Sequence, residues 1–199
     1  MNETLEQKVQ VLIDRQEIEQ VLKLYCRAID RMDLELLKSI YHPEGTDDHG
    51  SFSGNAQEFA VFIMANLRDM IIDGMHTVTH CTIDVQGKFA TSEAYYWAYQ
   101  RCPGGREKVA SFFGETYTRA MQQRGTLEGD HDYFCGGRYI DLFEKRNGQW
   151  KILRRKITNE WGAIQPTSRI TTEGHVAAFN LPGRRDKQDP VYLNQVPSG

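Results

Sequence analysis

In YCRAIDRMDLELLKSIYHPEGTDDHG, residues 25–50, Asp30 ends an apolar helical run, and Asp47, Asp48 and His49 follow in a turn-rich segment. A carboxylate at a helix end can meet water or cap the next helix. One turned into a hollow between helix and sheet is pushed toward its protonated form unless a partner offsets the burial, and a nearby histidine could share the proton. On an ideal helix Tyr25 and Asp30 lie about 140° apart, so both reach one cavity only if the helix ends or distorts near Asp30. If residues 47–49 are extended, Asp47 and His49 face one way and Asp48 the other, and only one set can enter a pocket.

His76 and His80 stand in MHTVTHCTI with three residues between them. On a helix this is a metal-ligand spacing, but the β-branched residues between them point to a strand, where both side chains face one side. No Glu of an H-E-x-x-H motif and no nearby Cys pair supports a metal, so none is expected. An imidazole titrating near neutral pH suits a general base, with structural packing as the competing role for one of the two. Farther on, alternation places Tyr96, Ala98 and Gln100 on one strand face and Tyr95, Trp97 and Tyr99 on the other. Most of these pack the sheet, although a tyrosine hydroxyl aimed at a ligand could stabilise an enolate or phenolate. Arg154 and Arg155 also alternate, so one of them could enter the cavity and pair with a carboxylate or an oxyanion.

The elements that must hold these groups read in order along the chain. Thr4 and Gln7 have the spacing of a capping box, and Ile18, Val21, Leu22, Tyr25 and Ile29 repeat at the helical period. Asp33 caps a short second helix through LELLKSIY that stops near His42-Pro43. Asn55 caps a third, AQEFAVFIMANLRDMI, with Phe59, Phe62, Ile63 and Leu67 in its stripe and Asp73-Gly74 closing it. Four segments rich in aromatic and β-branched residues follow, with turns at Gln86-Gly87 and Asn147-Gly148. GGRYIDLFEKR suggests a bulge where backbone approaches closely. The fold class is therefore α+β: three N-terminal helices packed on one face of a curved antiparallel sheet. Residues 105–124 interrupt the strands with a helical pattern, either a plain surface helix, a lid over the pocket mouth or an oligomer contact. The tail, with Pro166, Pro182, Pro190 and Pro197, has no sustained period. It reads as an irregular arm over the domain or a neighbouring subunit, giving a domain of residues 1–165 and an arm of 166–199.

Composition narrows the function. The 199 residues suffice for one good-sized domain, and 24 basic against 27 acidic residues leave no basic field for nucleic acid. No apolar run approaches the roughly 18 residues of a membrane span, and MNETLEQKVQ is unlike a secretory signal, so the chain reads as cytoplasmic. Cys26, Cys81, Cys102 and Cys135 are scattered, as in a protein with free, mostly buried thiols. Neither a phosphate-cradling glycine loop nor a dinucleotide fingerprint is present, and no cofactor is expected.

VLKLYCRAIDRMDLELLKSIYHPEGTDDHGSFSG, HTVTHCTIDV, EAYYWAYQR and GGRYIDLFEKRNGQWKILRRKI together resemble the nuclear-transport-factor-2-like superfamily, and more narrowly its SnoaL-like, polyketide-cyclase-like branch with scytalone dehydratase. The resemblance covers most of residues 10–161. It implies a cone-shaped fold and a cofactor-independent lyase in which a helix-end aspartate and a strand histidine form a dyad, here Asp30 and His80. By the same resemblance Tyr25 and Arg155 assist catalysis, and Gln100 stands where the bile-acid dehydratase of this branch has a second acid. His49, Asp48, Tyr96, Gln100 and His76 are the substrate-binding candidates. The expected substrate is a hydrophobic, hydroxylated aromatic or polycyclic small molecule. Dehydration, retro-aldol loss of a small aldehyde, isomerisation and ring closure all begin with one proton abstraction. Association into a dimer or trimer is implied as well. The alternative is a non-catalytic binding or assembly subunit, like the β subunit of a ring-hydroxylating oxygenase, which shares the fold.

Overall fold

The computed structural model describes residues 4–179 and 181–194; Pro197, counted above with the arm, lies outside them. Helix α1 (Leu5–Asp30) opens on the capping box, with Thr4 and Gln7 each accepting from the other's backbone N–H. Its inner stripe buries Ile18, Leu22, Tyr25 and Ile29, each such apolar side chain stabilising the fold by roughly 1.5–3 kcal/mol. The helix stops abruptly after Asp30. Met32 takes a left-handed conformation (φ 55°), and the Asp33 N–H returns to the Ala28 carbonyl at 2.9 Å. Asp33 then caps α2 (Leu34–Ser39) by accepting from the Leu36 N–H.

The next segment, read from sequence as turn-rich, forms two strands, β1 (Tyr41–Asp48) and β2 (Ser53–Asn55). Asn55 caps α3 (Ala56–Met70), accepting from the Gln57 N–H at 2.8 Å. This helix ends one residue before the expected Ile71, and Asp73 and Gly74, read as its stop, begin β3 (Asp73–Gln86). A side chain at Gly74 would meet the Tyr99 carbonyl at 2.8 Å, so the glycine serves close strand approach rather than a helix stop. β3 pairs with β4 (Phe89–Cys102), and β5 (His131–Arg146) and β6 (Gln149–Pro166) continue the meander. Asn147 and Gly148, both at positive φ, make the tight β5–β6 turn.

The sheet order is β2-β1-β6-β5-β4-β3. The expected α+β class is found, with one difference. β1 lies parallel to β6 while every other pairing is antiparallel, so the sheet is mixed. Its inner face packs against α1 and α3 around Tyr25, Phe59, Tyr139, Phe143 and Ile152. Between β4 and β5, the helical pattern of 105–124 is two helices, α4 (Arg106–Phe113) and α5 (Glu115–Arg124), broken at Gly114 (φ 85°). They enclose a small core of their own, Val109, Met121 and Leu127. Among the described residues beyond β6, the arm carries a short 3-10 turn (His175–Ala178) and a single helical turn, α6 (Pro190–Leu193). No helix of the described residues is long and apolar enough to cross a membrane.

Candidate active site

A cavity of about 760 Å³ opens between α1, α3, the inner face of the sheet and α4. Its walls are mostly apolar and aromatic, and its polar groups are amides, hydroxyls and two imidazoles, His49 and His76. Among the described residues, neither Lys, Arg, Asp nor Glu lines it. Such a lining offers no charged partner to a ligand charge, which would be buried unpaired.

Asp30 meets His76, not His80. The His76 Nδ1 lies 2.7 Å from Asp30 Oδ1, and the His76 backbone N–H donates to the same carboxylate at 3.0 Å. The abrupt end of α1 puts Asp30 beside the start of β3, where it is 8% exposed. An ionised carboxylate only accepts, so Nδ1 carries the proton and Nε2 is the basic nitrogen. Asp30 does not line the large cavity. With His76 it walls a small hollow behind it, so the imidazole stands between the carboxylate and the pocket. This is the orienting arrangement that a general base needs.

His80 is exposed on the other side of β3, which corrects the expected Asp30–His80 pair. Val78 faces Tyr96 and Cys81 faces Ala94, so Thr79 and His80 together stand opposite Tyr95. This bulge breaks the two-residue alternation and turns His80 away from the face that His76 occupies. A second bulge decides the arginines. Trp150 and Ile152 point inward, and strict alternation would bring Arg154 in, but the register shift after Ile152 turns Arg155 inward instead.

Arg155 is fully buried and does not line the cavity. Its Nε and Nη2 donate to the two Asp141 oxygens at 2.8 and 2.7 Å. The guanidinium carbon lies 4.1 Å from the Tyr25 ring centre and 4.3 Å from that of Tyr139. Burial pushes the Asp141 carboxyl up, against the pull of Arg155, and the guanidinium keeps its charge. Arg155 is thus a foundation for two pocket tyrosines, and no step at the ligand is open to it directly. Sequence reasoning missed its partner; an acid on the facing strand was the available signal.

Asp47 and His49 do share a side, and the intervening Asp48 is exposed and does not line the cavity where it was expected to meet substrate. Asp47, 1% exposed, accepts from the Tyr41 hydroxyl at 2.6 Å and sits 3.3 Å from the His49 Nδ1. The His49 ring stacks on Phe59, centroids 4.8 Å apart, and lines the cavity. Tyr25, Tyr96 and Gln100 line it too. Burial, with Asp47 adding to it, drives the Tyr25 phenol well above its ordinary pKa, so it serves as a neutral hydrogen-bond donor. Tyr96 stacks on Tyr139 at 4.5 Å, and burial lifts its phenol above the ordinary range as well. From the inserted helices, Ser111 and Phe112 reach the cavity, and Phe112 packs edge-on against Tyr133. Among the described residues, no group of three or more His, Cys, Asp or Glu side chains is placed to hold a metal ion.

Solved structures with this architecture include a hexachlorocyclohexane dehydrochlorinase from Novosphingobium barchaimii, with TM-score 0.61 and 15% identity over 82% of this chain and 96% of that one. A scytalone dehydratase-like protein from Novosphingobium aromaticivorans gives 0.60 and 18%, over 82% and 99%. A protein of Kribbella flavida gives 0.60 and 16%, over 77% and 95%. At these identities the likeness is one of fold. No curated protein matches the chain at a significant level. The profile of the SnoaL-like domain matches residues 10–156, which spans three of the four strands of the meander in full, α2, α3 and all but the first five residues of α1. The chain therefore belongs to the SnoaL-like domain family.

Proposed function

We propose that the chain is a cofactor-independent lyase acting on an uncharged, hydroxylated aromatic or polycyclic small molecule. His76, through Nε2, takes a proton from carbon. The electron pair of that C–H bond forms the new double bond as the neighbouring C–O bond breaks. The departing hydroxide takes a proton from His49, with the Tyr25 phenol donating a hydrogen bond, and leaves as water. Asp30 holds the His76 ring and balances the charge that develops on it. The carrying observation is the 2.7 Å Asp30–His76 contact at the wall of an otherwise uncharged cavity. The dehydrochlorinase and the scytalone dehydratase-like protein that share the fold are named for eliminations, which supports the reaction class without identifying the substrate.

The test begins with a panel of aromatic diols and cyclic alcohols screened by thermal shift, since a ligand bound to the folded state raises the melting temperature. Hits are then assayed for loss of water through the absorbance of the conjugated product. His76→Gln is expected to keep the thermal shift and lose at least about 10²-fold in turnover, the scale of general acid–base catalysis. Equal turnover in the variant rejects His76 as the base. Hits that bind but are never converted by the native protein replace the lyase with a binding module.

A further inference from the structure

We propose that the C-terminal arm completes the rear of the Asp30–His76 pair, with Arg185 as the positioning residue that fastens it there. The guanidinium of Arg185 crosses to the last turn of α3. Nη2 donates to the Leu67 carbonyl at 3.1 Å, and Nη1 donates to the Ile71 carbonyl. Leu67 already accepts from the Ile71 N–H at 3.2 Å, so Arg185 adds a second donor there, and Ile71 is the C-cap residue; the helix dipole favours a cation at this end. Arg185 is half-buried and, together with Asp30, Gly74, His76 and Gln100, walls the small hollow behind the imidazole. Ile29, Leu67, Ile71, His76 and Gln100 border both this hollow and the large cavity. Arg185 thus stands on the opposite side of the pair from the ligand space.

Residues 184–192 of the arm are latched to the end of α1. Arg31 donates to Asp189 at 3.1 Å and to the Arg184 carbonyl at 3.0 Å. The Tyr192 hydroxyl donates to Asp33 at 2.8 Å, Lys187 pairs with the same carboxylate, and the Arg27 guanidinium lies 4.9 Å from the Tyr192 ring centre. Exposed ion pairs contribute little singly, but Asp33 and Asp189 are 4% and 5% exposed, and the contacts converge within six residues of Asp30. The charges felt by Arg185 are Asp30 and Asp73, which favour it, and Arg31, which opposes it. A cation bound to two helix carbonyls keeps water from the back of the Asp30 carboxylate and fixes residues 71–76. His76 is then held in the register its side chain requires.

The test needs no substrate, so it stands or falls apart from the lyase reading. Hydrogen exchange at the His76 amide, and the downfield Nδ1 proton of His76, are followed by NMR in the full chain, in Arg185→Met and in Arg185→Lys. Arg185→Met is expected to speed exchange at His76 about ten-fold, the equivalent of one hydrogen bond, and to lose the Nδ1 signal to solvent exchange. Amides in β5 report on the fold and are expected to keep their protection. Arg185→Lys keeps the charge and one carbonyl contact, and should recover the Nδ1 signal. Unchanged exchange and an intact signal in Arg185→Met overturn the proposal, as does a native protein with no protected Nδ1 proton. Equal loss of protection throughout β5 also overturns it, because the arm would then support the whole fold and not the pair.

Discussion

Replacing Arg155 by Met tests whether the floor of the cavity is held by a buried ion pair. Both side chains of the Arg155–Asp141 pair are 0% exposed, and the only hydrogen bonds made by the Asp141 carboxylate among the described residues come from Arg155. Removing the guanidinium leaves a buried carboxylate alone, which costs about 3–5 kcal/mol. At roughly 2–4 °C per kcal/mol for a chain of this size, the melting temperature falls by about 6–20 °C. Removing both charges, in Arg155→Met with Asp141→Leu, is expected to recover most of the loss, because two apolar groups need no partner. Asp47 keeps the Tyr41 hydroxyl and His49 in that background. The pH dependence has a definite sign. In the single variant Asp141 is raised above its unfolded value by burial with nothing to lower it, so the deficit grows as pH rises above about 4 and shrinks below. Urea unfolding of the native chain, both single variants and the double variant, at pH 4 and pH 7, gives the full cycle. A single variant that costs less than about 1 kcal/mol, or a double variant as unstable as the single, would refute the reasoning.

Two further outcomes follow from the geometry. His80→Asn should leave turnover and melting temperature within error of the native protein, since surface substitutions away from special features usually stay within about ±0.5 kcal/mol; a large loss of turnover would return His80 to the site. The arm should loosen in acid. Although burial pulls Asp33 up, hydrogen bonds from Lys187, Tyr192 and the Leu36 N–H hold it below the usual range, and the Arg184 N–H lowers Asp189. Their contribution is fully present above the unfolded carboxylate value near 3.9 and is lost as pH falls through the lowered folded values. Limited proteolysis with an acid-active protease should therefore cut residues 181–194 sooner as pH drops from 4 toward 2, before the core strands yield, and simultaneous cleavage would count against the latch.

What the sequence determined by itself is local. Thr4, Asp33 and Asn55 cap helices because their oxygens lie within reach of N–H groups two or three residues on. Asn147-Gly148 turns the last hairpin because both residues tolerate positive φ. Asp47 and His49 share a side, as do Tyr96 and Gln100, because alternation holds wherever no bulge intervenes. The identity of the imidazole beside Asp30 was beyond such reasoning. Parity carries from His76 to His80 only in an unbroken strand, and the extra residue opposite Tyr95 belongs to the pairing of β3 with β4. The same holds for Arg155, turned inward by a bulge, and for the parallel β1–β6 pair, which joins segments more than 100 residues apart. Arg185 reaches the back of His76 from the far end of the chain. Local periodicity encodes which face a residue takes within its own element; which elements meet, and in what register, is decided only when the core closes and every buried polar group must find a partner.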